Sequence, residues 1–116
     1  MKLAFCCLGE TGHLFPMLKF AEEMAERGHK IIFISPNYSK EKVNKLLSEI
    51  KGDVTSVVTE EKLDRLQMLP GLPDKDGNTA NGFDEWYPFC KKAIQDASPD
   101  VCVIDFLTIP SLYAAE

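Results

Sequence analysis

Residues 2–35 read KLAFCCLGETGHLFPMLKFAEEMAERGHKIIFIS, and the change of periodicity along them decides the fold. Residues 2–8 are nearly all apolar, as expected of a strand covered on both faces of a parallel sheet. Gly9, Glu10, Thr11 and Gly12 interrupt the run with turn chemistry. From Leu14 the spacing becomes helical. Leu14, Met17, Leu18, Ala21, Met24 and Ala25 share one stripe, and Lys19, Glu22, Glu23 and Glu26 lie largely off it. Pro16 falls in the expected first turn, where its missing N–H is tolerated. Gly28 suits the left-handed position after the last turn, and residues 30–35 form a second buried strand.

Working outward, Ser39 is a candidate cap for a helix over residues 40–50, with Val43, Leu46, Leu47 and Ile50 as its apolar face. Gly52 and Asp53 turn the chain into VTSVV, a third strand. Residues 69–82, LPGLPDKDGNTANG, hold two prolines and three glycines and cannot be a regular element. A connection of that length is often functional. Helical character returns over residues 83–97, and VCVI then runs as a strand into Asp105. A further helix is expected to begin near Pro110. Strands alternating with helices predict an α/β fold, a Rossmann-like parallel sheet with helices on both faces.

The bulk numbers agree with one modest soluble domain of 116 residues, 45% apolar and 27% charged. With 18 acidic against 13 basic side chains, the net charge of −5 excludes a nucleic-acid partner that relies on clustered Lys and Arg. No apolar run approaches the roughly 18–20 residues of a membrane span, and the N-terminus makes a poor signal peptide. Cys6, Cys7, Cys90 and Cys102 contain no C-x-x-C pair, and neither histidine stands at metal-ligand spacing from them. Reduced thiols in a cytoplasmic protein, with no bound metal, are expected.

In an open parallel sheet ligands bind at the carboxyl ends of the strands. Two polar residues stand there: His13 after the first strand, and Asp105 after VCVI. If those strands are neighbours, the carboxylate can orient the imidazole as a general base. On spacing alone, a histidine at a helix start is more often a cap or surface residue, and an aspartate after a strand is commonly the cap of the next helix. The glycine pattern lacks the third glycine of G-x-G-x-x-G, and neither a P-loop nor a G-x-S-x-G elbow is present. Those absences disfavour a dinucleotide-binding domain, a P-loop enzyme and an α/β-hydrolase.

Gly9, Gly12, His13, Pro16, Leu18, Ala21, Met24, Arg27, Gly28 and His29 lie between two strands in an order that resembles the opening of family 1 UDP-glycosyltransferases of GT-B fold. The segment SPDVCVIDFLTIPSLYAAE resembles the family's Pro-Asp-strand-Asp segment, and LPGLPDKDGNT is similar to the Leu-Pro-rich acceptor loop of plant-type members. The resemblance implies His13 as general base toward an acceptor hydroxyl and Asp105 as its partner. It also implies inverting transfer from a UDP-sugar co-substrate without metal or other cofactor. Gly12, Phe15, Leu69, Phe83, Trp86 and Tyr87 become candidate acceptor-binding residues for a small lipophilic alcohol or phenol. Their plainer reading is as core and loop anchors. His29 reads as part of the helix-ending turn.

The family's second domain carries the nucleotide-sugar motif, and nothing in residues 1–116 matches it. The chain is therefore expected to be a partial N-terminal, acceptor-binding domain, with Glu116 as a truncation point and the donor-binding domain absent. Two other readings stand beside this one. One is a non-catalytic short homologue that binds a small ligand or pairs with a separate donor-binding chain. The other is a flavodoxin-like regulatory domain whose histidine is incidental. A sheet that stops after four strands leaves an unpaired edge, which favours self-association.

Overall fold

In the computed structural model, the described residues are 1–7, 11–35, 40–58, 83–105 and 115. They form β1 (Lys2–Cys6), α1 (Thr11–Glu26), β2 (Lys30–Ser35), α2 (Lys40–Ser48), β3 (Val54–Val58), α3 (Phe83–Ala97) and β4 (Val101–Ile104). The four strands make one parallel sheet in the order β3-β2-β1-β4. The chain steps outward from β1 to β3 and then returns to the other side of β1. Crossovers of one hand put helices of opposite travel on opposite faces. Accordingly α1 and α2 share a face and α3 takes the other.

Both faces are apolar, because side chains alternate along each strand. Leu3, Phe5, Cys7, Ile31 and Phe33 pack against Leu14, Leu18, Ala21, Ala25, Val43 and Leu47 of the first two helices. Ala4, Cys6, Ile32 and Ile34 meet Cys90, Ala93 and Ile94 of α3. The end of α1 is fixed by a reciprocal cap. Gly28, at φ 89°, donates to the Ala25 carbonyl at 3.0 Å, and His29 N–H donates to the Met24 carbonyl at 3.1 Å.

α1 begins at Thr11, earlier than the stripe from Leu14 suggests, so Pro16 lies past the first turn, inside the helix. It cannot donate to the Gly12 carbonyl; the packing of Leu14, Leu18 and Ala21 outweighs that single loss. Residues 8–10, 36–39, 59–82, 106–114 and 116 lie outside the described residues. So do the expected cap Ser39, the loop residue Leu69 and the helix expected near Pro110. No described helix is long and apolar enough to cross a membrane.

Candidate active site

β4 is placed at its amino end. Lys2 N–H donates to the Asp100 carboxylate at 2.7 Å, and Asp100 N–H returns a bond to the Lys2 carbonyl at 2.8 Å. Lys2 Nζ also caps α3 at the Ala97 carbonyl, 2.8 Å away. These bonds set Leu3 opposite Val101, and the register then carries Asp105 alongside the end of β1, where its N–H donates to the Cys6 carbonyl at 2.9 Å. Asp100 was not singled out as a site residue by the sequence. Its signal was an acidic residue directly ahead of a strand.

β1 and β4 are neighbours, and the direction of chain travel reverses between them. His13 and Asp105 therefore flank the topological switch point, at the carboxyl edge where ligands enter such sheets. His13 Nδ1 lies 3.0 Å from Asp105 Oδ1. The carboxylate side chain is 6% exposed and the imidazole 26%. With Nδ1–H donating to the carboxylate, Nε2 is the ring nitrogen that carries the lone pair.

The other candidate residues are spread around this pair. Gly12 is exposed beside His13, and a Cβ added there meets nothing within 4 Å. Phe15, two residues along α1, points about 200° away from His13 around the helix. It lines a groove of about 310 Å³ between α1 and α2, with Leu18, Leu46 and Ile50. Tyr87 is half-buried on α3, on the opposite face of the sheet, with Phe83 and Trp86 in the same helix. Because α3 runs antiparallel to β4, its first turns also lie toward the carboxyl edge. The structure thus joins His13 to Asp105 and leaves Phe15 in a separate groove.

None of the four cysteines forms a disulfide. Burial, then the Asp105 carboxylate and Cys6, push the Cys7 thiol up from 9.0 to about 12. Burial also raises Cys102. The folded state keeps the Cys7 proton where the unfolded chain releases it. Its contribution to stability is therefore fully present below pH 9 and is lost as pH rises toward 12, by up to about 1.4 kcal/mol per pH unit. Urea unfolding of the wild type and Cys7→Ala between pH 8 and 11 checks this. The wild type should lose stability more steeply, and parallel slopes would refute the assignment.

No family model matches the chain. A curated relative does: UDP-glycosyltransferase 91C1 of Arabidopsis thaliana is 30% identical over an alignment of 116 positions that covers 89% of this chain and 24% of that protein. The fold matches the glycosyltransferase SsfS6 of Streptomyces sp. SF2575 with TM-score 0.72 at 13% identity, covering 99% of this chain and 36% of that one. It also matches Arabidopsis thaliana UGT89C1, solved with UDP-L-rhamnose, with TM-score 0.63 at 13% identity, covering 97% and 32%. In sequence the chain resembles a UDP-glycosyltransferase, and in fold it resembles glycosyltransferases. Its four-stranded sheet is the Rossmann-like part of a GT-B glycosyltransferase, and the chain spans about a quarter of the length of the curated relative it matches. Glycosyl transfer is the activity that these relatives' names state, and in this chain the His13–Asp105 contact lies at the carboxyl edge of the sheet.

Proposed function

We propose that this chain supplies the acceptor side of an inverting, UDP-sugar-dependent glycosyl transfer, with His13 as general base and Asp105 as its orienting partner. The observation that carries the reading is the 3.0 Å contact between a buried carboxylate and a partly exposed imidazole at the switch point. Nε2 of His13 takes the proton of an acceptor hydroxyl. The oxygen forms a bond to the anomeric carbon from one face while the bond to UDP breaks on the other, and UDP leaves with the electron pair. Asp105 stabilises the imidazolium that results. The UDP-sugar is held by the part of the relatives' length that this chain does not span, in the same polypeptide or a partner chain. A small lipophilic alcohol or phenol is the acceptor class.

Gly12 supports a close approach by substrate. It occupies a helical position with open space where alanine fits, and glycine there costs up to about 1 kcal/mol relative to alanine. Gly12→Ala should therefore stabilise the fold slightly while raising the acceptor KM. A variant with unchanged KM would show that nothing approaches that backbone.

The direct test is glycoside formation from UDP-glucose and a panel of phenols, with the product's anomeric configuration read by NMR. The 116-residue chain alone should give no product above background, and the full-length protein should give the inverted glycoside. Turnover by the 116-residue chain alone, or a retained configuration, would overturn the reading.

A further inference from the structure

Pro16 stands at the sixth position of α1, where the N–H it lacks would have closed the helical bond to the Gly12 carbonyl. That carbonyl is left without its helical partner. Gly12 and Pro16 are four residues apart, share one side of α1 and are both exposed, while Leu14, Leu18, Ala21 and Ala25 face the sheet. A proline ring presses on the carbonyl four residues before it and turns it outward, here to the solvent side. The space beside it is open, since a Cβ built on Gly12 meets nothing within 4 Å.

This oxygen lies next to the proposed base. The Gly12 carbonyl carbon is bonded to the His13 nitrogen, and α1 begins at the carboxyl edge of the sheet, where ligands enter. Asp105 holds Nδ1 at 3.0 Å, which leaves Nε2 for the acceptor. Helical geometry puts Nε2 and the Gly12 oxygen roughly 6–8 Å apart. Two hydrogen bonds of about 2.8 Å, with a pair of adjacent hydroxyls between them, span that separation.

We propose that Pro16 is a positioning residue for acceptor specificity: it keeps the Gly12 carbonyl free for a second hydroxyl, so that the site selects acceptors with two neighbouring hydroxyls, such as catechols. The inference rests on the glycosyl-transfer reading of His13 and narrows its acceptor class. One hydroxyl gives its proton to Nε2 and becomes the nucleophile. Its neighbour donates to the Gly12 carbonyl and holds the ring in place. Pro88 offers an internal comparison. It is exposed at the sixth position of α3, on the opposite face of the sheet, in a helix that contains no histidine.

The test uses the full-length protein and two probes, catechol and 2-methoxyphenol, whose second oxygen cannot donate. The wild type should favour catechol. Pro16→Ala restores the N–H, ties up the Gly12 carbonyl and should lower that preference about five- to tenfold, the worth of one hydrogen bond, through the KM for catechol. Pro88→Ala makes the same change in α3 and should keep the wild-type preference. Calorimetry of catechol binding without UDP-sugar gives a readout independent of turnover, and the affinity should fall by the same factor in Pro16→Ala. Parallel changes for the two probes in Pro16→Ala, or an equal loss of preference in Pro88→Ala, would overturn the proposal. If His13→Ala retained transfer, the base assignment would fall, while calorimetry would still decide whether the Gly12 carbonyl reads the second hydroxyl.

Discussion

His13→Ala in the full-length protein should lower kcat by about 10²–10⁴-fold, the contribution of a positioned general base, and leave UDP-sugar binding intact. On the proposed reading the imidazole serves the acceptor, and the chain covers 24% of the matched relative, so its removal should not disturb donor contacts elsewhere. Asp105→Ala should cost less, about 10–100-fold, because the base remains and only its orientation is lost. The buried carboxylate bonded to Nδ1 at 3.0 Å makes the two a unit. The double variant should therefore be little worse than His13→Ala alone. Kinetics of both single variants and the double, with donor affinity measured separately, decide the matter. Multiplication of the two single losses would mean that the residues act independently.

Phe5→Ala should destabilise the fold by about 3–5 kcal/mol, a large share of the 5–15 kcal/mol that holds a domain together. Phe5 lies on one of the two inner strands, is fully buried, and is bordered by two rings. Phe33 stacks against it with centroids 6.2 Å apart, and Phe20 of α1 meets it edge-on at 5.5 Å. Truncation would leave a cavity between the sheet and α1 that neither rigid neighbour can fill. Phe20→Ala should cost less, because that ring is already 44% exposed. Urea midpoints for both variants test this ranking. A loss below 1 kcal/mol for Phe5→Ala would show that the core relaxes around the gap.

The elements were legible because their signals are local. Apolar runs over β1 and β2, the stripe from Leu14 to Ala25, the Gly28 stop and VCVI before Asp105 each express a backbone period or a cap. The structure moves the start of α1 to Thr11, because a first turn is held by tertiary packing as much as by its own sequence. The resemblance carried by Gly12, His13, Pro16 and Arg27-Gly28-His29 pointed to the family that the matched relatives share.

By itself the sequence determined the alternation of strands and helices, the residues able to do acid–base chemistry, and the edge of the sheet on which they would stand. Only the tertiary structure decided that β4 returns beside β1, and so that His13 and Asp105, 92 positions apart, meet at 3.0 Å. It also decided that Phe15 turns away into the α1–α2 groove and that Pro16 lies inside α1. Periodicity records which face of an element is apolar but not which element lies beside it. Strand order is chosen by long-range burial and by register bonds such as Lys2–Asp100, whose partners have no local mark of each other.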